Sequence, residues 1–137
     1  MITKLTEGLY QSGFPDFEEI IKNNIKLVIY LGKTTINLPD SIEPEEDFSY
    51  IWWPFTDGPM PDTRILKGLA DIAVGFLKKG EKVLISCAAG VNRSSLLASL
   101  IMMKFLKIDA NEAISKIREK NPFALFNENF YSWLAQK

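Results

Sequence analysis

Nine consecutive residues, Ser86-Cys87-Ala88-Ala89-Gly90-Val91-Asn92-Arg93-Ser94, carry most of the chemistry that can be read from this chain of 137 residues. They follow a short apolar run, Val83 to Ser86, and lead into a longer one that begins near Ser94. A tight turn from strand to helix can aim successive backbone N–H groups at a single oxyanion, and the positive end of the helix adds to them. Gly90 allows a backbone conformation that residues with a Cβ avoid. Ala88, Ala89 and Val91 bring no charge or long polar side chain to compete for the space, and Arg93 offers a planar fork that can bind two oxygens at once. The same positive field favours a thiolate at Cys87, which makes it a nucleophile. A lone cysteine after a strand is usually an apolar filler. Here a glycine three residues on, an arginine six on and a hydroxyl seven on argue against that reading. A thiol activated in this way is expected to be exposed and easily oxidised.

The rest of the composition narrows the choice. With one cysteine there is neither an internal disulfide nor a four-cysteine zinc site, and with no histidine the serine–histidine triads and histidine-ligated zinc hydrolases fall away. A formal net charge of −1 gives no overall attraction to nucleic acid or anionic membrane, so anion binding has to be local. Met1 to Tyr10 lacks the charged-then-apolar order of a secretion signal, and Leu96 to Met103 is too short to span a bilayer. A soluble, cytoplasmic, monomeric protein without metal or cofactor is the expectation.

Around the nine residues, strand signals fall at Leu27 to Leu31, Ser49 to Trp53 and Val83 to Ser86. Ile65, Leu69, Ile72 and Phe76 recur at helical spacing and predict a helix that stops at Lys78-Lys79-Gly80. A second helix is expected from about Ser94 to Leu106. A third should start at Asp109, with Glu112 completing a capping box and Ala110, Ala113, Ile114 and Ile117 on one face. It should end near Asn121-Pro122, and Asn127 could cap a last helix carrying Phe130, Trp133 and Leu134. Alternating strands and helices predict an α/β layered fold with a largely parallel sheet, in which sites lie at the carboxyl ends of strands. Asn37 to Asp47 reads as a solvated loop. Leu31-Gly32-Lys33-Thr34-Thr35 looks like the end of a nucleotide-binding loop, but Leu27 stands where that motif needs glycine. No repeat or linker divides the chain, so residues 1–137 are expected to form one domain.

The nine-residue segment resembles the C-x5-R loop of protein tyrosine phosphatases, and Ala-Gly-Val-Asn-Arg-Ser is most similar to the dual-specificity branch. The resemblance covers nearly the whole chain. Leu9-Tyr10-Gln11-Ser12-Gly13 and Ile25 to Gly32 look like that family's opening strand, helix and strand. Trp53-Pro54-Phe55-Thr56-Asp57-Gly58 resembles its general-acid loop, and Asn121-Pro122 through Asn127, Phe130 and Leu134 resembles its C-terminal helix pair. Low-molecular-weight phosphatases carry the loop near the N-terminus, rhodanese-type sulfurtransferases space it differently, and the large tyrosine-specific enzymes are much longer.

The resemblance implies phosphomonoester hydrolysis through a phosphocysteine. Cys87 would attack phosphorus, while Arg93 and the amides of Ala88, Ala89, Gly90, Val91 and Asn92 hold the oxygens. Asp57 would act as general acid and then base, with Asp62 as its rival. Asp62 also reads as the N-cap of a helix beginning near Thr63. Ser94 would donate to the departing sulfur, or else be only a helix cap. Ser86 departs from the family, which usually has histidine there, and its hydroxyl is expected to take over one of the lost hydrogen bonds. The implied substrate is a phosphorylated protein (Tyr and Ser/Thr) or a simple phosphomonoester, since the variable loop positions carry no Lys or Arg as inositol-lipid phosphatases do. Alternatives of the same fold are a catalytically weak phosphate-binding pseudophosphatase, a phosphoinositide phosphatase and an RNA 5′-triphosphatase. No basic patch with interleaved aromatics supports nucleic acid as partner.

Overall fold

The computed structural model describes residues 2–41, 47–89 and 91–137. Gly90 and part of the Asn37–Asp47 loop therefore lie outside the described residues. In chain order the elements are β1 (Thr3–Thr6), β2 (Leu9–Ser12), α1 (Phe17–Lys22), β3 (Ile25–Tyr30), β4 (Ser49–Trp52), α2 (Thr63–Lys78), β5 (Lys82–Ser86), α3 (Arg93–Leu106), α4 (Ala110–Lys120) and α5 (Glu128–Ala135).

The strands form one sheet in the order β1-β2-β5-β3-β4, parallel throughout except for the β1–β2 hairpin at one edge. This is the α/β arrangement the alternating pattern predicts. Strand β5 arrives last and inserts between β2 and β3. The β2–β3 connection carries α1 and the β4–β5 connection carries α2, which pack on different apolar clusters, so the carboxyl end of β5 lies where the winding switches. Open parallel sheets place their ligand crevices at such points.

Central strands covered on both faces should be apolar nearly throughout, and β3 and β5 are. Leu27, Ile29, Val83 and Ile85 face the larger cluster with α2, α3, α4 and α5, whereas Val28 and Leu84 face a smaller one with Ile20 and Phe48. The β3–β5 register shifts between Ile25 and Leu27, which turns Ile25 to the smaller cluster despite its odd spacing.

The caps fall where the sequence places them. Asp62, Asp109 and Asn127 accept backbone N–H groups at the starts of α2, α4 and α5, and Gly80 follows α2 with φ +78°. The buried face of α2 corrects the predicted stripe. Leu66, Leu69, Ala70, Ala73, Val74 and Leu77 are buried, while Ile65 and Ile72 are 44% and 45% exposed. Close approach to α3 favours small residues such as Ala70 and Ala73, which a search for bulky residues passes over. Strand β1, a four-residue edge, had no predicted counterpart.

Two substitutions test this packing. Phe130→Ala removes a fully buried ring that meets Phe55 edge-on at 6.1 Å, and it should cost about 3–5 kcal/mol in urea unfolding. Ile72→Ala should stay within about 0.5 kcal/mol, as for a surface position. A larger loss at Ile72 than at Phe130 would contradict the assigned face.

Candidate active site

The turn after β5 is fixed from three sides. Ser12 at the end of β2 accepts the Cys87 N–H at 3.4 Å, and the Ser86 carbonyl accepts the Leu31 N–H at 2.9 Å. Val91 accepts the N–H of Leu125 at 3.1 Å. Gly13 lies so close that a Cβ there would come within 3.2 Å of the Ala88 carbonyl oxygen, which explains a glycine at that position.

Cys87 is 1% exposed. Its thiol thus lies at the base of the turn, not at the surface, which corrects the expectation of an exposed thiol. Ala88 and Ala89 are exposed at the rim, and Val91, Asn92 and Arg93 are half-buried. Asn92 occupies the N-cap position of α3 but makes no side-chain cap hydrogen bond. The free amides of the first helical turn are consequently not taken up by a capping side chain, and an anion can use them.

Ser94 is not a cap. It lies inside the first turn of α3, fully buried, with its Oγ 3.4 Å from the Cys87 sulfur. When the sulfur is a thiolate, the hydroxyl is the donor of that pair. Gln11, at 3% exposure on β2, reaches the same hydroxyl: its Nε2 donates to Ser94 Oγ at 2.9 Å and to Ser95 Oγ at 2.7 Å. Nothing local in the sequence marks Gln11 for this, because the contacts span 83 and 84 positions.

Arg93 donates from Nη1 to the Phe55 carbonyl at 3.1 Å. Its Nε is buried without a hydrogen-bond partner among the described residues. Buried donors are nearly always paired, so an unpaired guanidinium N–H beside uncapped helix amides fits an oxyanion. The Ser86 hydroxyl is likewise buried and has no hydrogen-bond partner among the described residues. Tyr30, paired with Ser86 across the sheet, is fully buried. Burial pushes its phenol up, and the nearby Thr34 hydroxyl and then the Arg93 cation oppose this only in part, so the ring stays neutral near the site.

The Asp57 carboxylate lies against this turn. Asn92 Nδ2 donates to one of its oxygens at 2.9 Å, and Asn127 Nδ2 to the other at 2.8 Å. Asp62 is occupied elsewhere. It accepts the Arg64 backbone N–H at 3.0 Å and pairs with the Arg64 guanidinium through Nε at 3.2 Å and Nη2 at 3.0 Å. The Arg64 guanidinium beside it holds its carboxyl below the usual carboxylate range, which disfavours the protonated form an acid needs. Of the two rival carboxylates, the fold therefore brings Asp57 to the turn and keeps Asp62 as a cap. Among the described residues no cluster of three or more His, Cys, Asp or Glu could hold a metal ion, and no helix is long and apolar enough to cross a membrane.

With this geometry in place, residues 9–137 match the family described as dual specificity phosphatase, catalytic domain. The chain belongs to that family. It is 30% identical over 142 aligned residues to tyrosine-protein phosphatase vhp-1 of Caenorhabditis elegans, covering 98% of this chain and 21% of that protein. With mouse dual specificity protein phosphatase 14 the identity is 32% over 101 residues, covering 73% of this chain and 50% of the relative. The chain thus spans half or less of the length of these relatives. Among solved structures, DUSP15 superposes with a TM-score of 0.84 at 22% identity, over 98% of this chain and 85% of that one. Tk-PTP in its active form gives 0.81 at 20% identity, over 99% and 97%. These two likenesses establish the protein tyrosine phosphatase-like fold.

Within this dual-specificity domain, Gln11 should be structurally costly to remove. Gln11→Leu leaves two buried serine hydroxyls short of a partner and is expected to destabilise by about 1–3 kcal/mol. Adding Ser94→Ala and Ser95→Ala should recover part of that loss, because partners removed together leave nothing unsatisfied. A triple variant no more stable than Gln11→Leu alone would show that the amide does not act through these hydroxyls.

Proposed function

We propose that the chain is a cysteine-dependent phosphomonoester hydrolase, acting as a dual-specificity protein phosphatase on phosphotyrosine and phosphoserine or phosphothreonine, with residues 1–137 as one catalytic domain. The observation that carries the reading is convergence. A buried thiol 3.4 Å from a serine hydroxyl, a guanidinium N–H without a partner among the described residues and uncapped helix amides meet at one turn.

In the first step the Cys87 thiolate attacks phosphorus, and a P–S bond forms as the bond to the leaving oxygen breaks. Asp57 gives its proton to that oxygen. The Arg93 guanidinium and the amides of Ala88 to Asn92 hold the three remaining oxygens as charge develops on them. In the second step water attacks phosphorus and loses its proton to Asp57, the P–S bond breaks, and inorganic phosphate departs. Ser94 donates to the sulfur as it regains its negative charge. Protons and charge balance over the cycle, and no metal takes part.

Support for a protein substrate comes from the relatives, named as tyrosine-protein or dual specificity protein phosphatases. The loop agrees with it: positions 88, 89, 91 and 92 are Ala, Ala, Val and Asn, without the cations a polyphosphorylated inositol headgroup would call for. The Ser86 hydroxyl, unpartnered among the described residues, favours one second reading, a phosphate-binding module of low turnover.

Assays on phosphotyrosine and phosphoserine peptides with inorganic phosphate as readout separate the two. Cys87→Ser and Arg93→Ala should each abolish turnover, and Cys87→Ser should still bind tungstate, since only the nucleophile is gone. Near-wild-type hydrolysis by Cys87→Ser would end the phosphocysteine mechanism. Absence of turnover in the wild-type protein, with tungstate binding intact, would put the binding module first.

A further inference from the structure

We propose that Asn127 is a positioning residue for the acid: together with Asn92 it holds the Asp57 carboxylate over the oxyanion turn before any substrate is present, so that the start of α5 sets the acid loop. The inference rests on Asp57 being the general acid.

The orientation of the two carboxamides decides the matter, because a flipped Asn presents oxygen where nitrogen was. In both residues the oxygen is committed to backbone donors, which cannot reverse. Asn127 Oδ1 accepts the N–H of Asn129 at 2.9 Å and of Phe130 at 3.4 Å, as an N-cap does. Asn92 Oδ1 accepts the N–H of Asn127 at 3.0 Å. Both Nδ2 groups must therefore face Asp57, one on each oxygen, at 2.8 Å from Asn127 and 2.9 Å from Asn92. A single donor would leave the carboxylate free to swing, whereas two fix its plane. Asn127 Nδ2 also donates to the Gly58 carbonyl at 2.9 Å, and Asn129 Nδ2 to the same oxygen at 3.1 Å, so the backbone after Asp57 is held as well.

Asp57 is exposed and is followed by Gly58-Pro59. Left to itself, a surface loop of that kind would sample many conformations. The clasp removes that freedom in advance. The support behind Asn127 is rigid: Arg118 on α4 donates to the carbonyls of Ala124 and Leu125 at 3.0 and 3.4 Å, and Leu125, at φ +60°, donates to Val91 of the oxyanion turn. A non-glycine residue in the left-handed region persists only where its surroundings hold it there.

One side chain thus does two jobs through different atoms, Oδ1 capping α5 and Nδ2 orienting Asp57. Serine at 127 would keep a capping oxygen of similar rank but lose the amide donor. The test compares the wild-type chain with Asn127→Ser and Asp57→Asn on two monophosphates, one of a strongly acidic phenol and one of an alcohol whose oxygen must be protonated to leave. For Asn127→Ser, kcat/KM on the alcohol phosphate should fall about 10-fold or more and on the acidic phenol ester by less than about 3-fold. Its thermal midpoint should stay within about 4 °C of wild type. Equal losses on both substrates, or none on the alcohol phosphate, would overturn the proposal. If Asn127→Ser does not fold, Asn127→Asp carries the same comparison, since it caps equally well but cannot donate to Asp57. A leaving-group-selective loss in Asp57→Asn without one at position 127 would sink only this inference. No selective loss in Asp57→Asn would remove the acid assignment and the inference with it.

Discussion

Backbone amides can hold an anion only if nothing else holds them first, and this constraint governs the turn between β5 and α3. An ordinary helix start satisfies its free N–H groups with a capping side chain, as Asp16, Asp62, Asp109 and Asn127 do for α1, α2, α4 and α5. At α3 the residue in the capping position is an Asn, one of the best capping types, yet its side chain is turned away. It is turned away because both ends have other partners, the Asn127 N–H on the oxygen and Asp57 on the nitrogen. The site thus forgoes a cap worth about 1 kcal/mol and gains in its place a free set of donors and a tether to the acid loop.

The same choice recurs in the polar groups around the turn. Arg93 Nε and Ser86 Oγ are buried without partners among the described residues, and each such group costs about 1–3 kcal/mol. The surrounding sheet can carry this because β5 is flanked on both sides, and Val83, Leu84 and Ile85 are fully buried beneath the turn. Gln11 and Ser94 show the opposite economy. There every contact is short and buried, so the hydroxyl nearest the sulfur has a fixed place. Rigid below and unsatisfied above is the arrangement expected of a preorganised anion site.

Much of this was legible from the sequence, and the misses have physical reasons. The turn, its cysteine and arginine, the caps at Asp62, Asp109 and Asn127, and the buried stripe Ala110, Ala113, Ile114 and Ile117 all depend on residues close together in the chain. Such local patterns survive in a one-dimensional reading. The face of α2 did not, because Ile65 and Ile72 mimic a core stripe while the true one includes two alanines. Gln11 and the second role of Asn127 were out of reach for a different reason. Each acts across the fold, on Ser94 and on Asp57, at separations of 83 and 70 residues. Ser86 was read on chemistry alone: a hydroxyl can hydrogen-bond, but among the described residues it has no partner.

The long-range contacts also say which part of the site is tied to which part of the fold. Cys87 directly follows β5, and Arg93 and Ser94 open α3; the core residues Val83, Ile85, Leu96 and Leu97 of these two elements are wholly buried. Asp57 stands on an exposed segment whose orientation comes from Asn92 and from α5, a helix of eight residues. A helix that short is marginal by itself, and it is kept by tertiary packing of Phe130 and Leu134, both fully buried. Phe130 meets Phe55, and the Phe55 carbonyl receives Arg93 Nη1. The C-terminal helix and the acid-bearing segment therefore lean on each other, and the Arg93 guanidinium links them to the part of the fold that holds the thiol. Local opening follows the weaker contacts first, so loosening α5 would leave Asp57 held by Asn92 alone while Cys87 keeps its cradle.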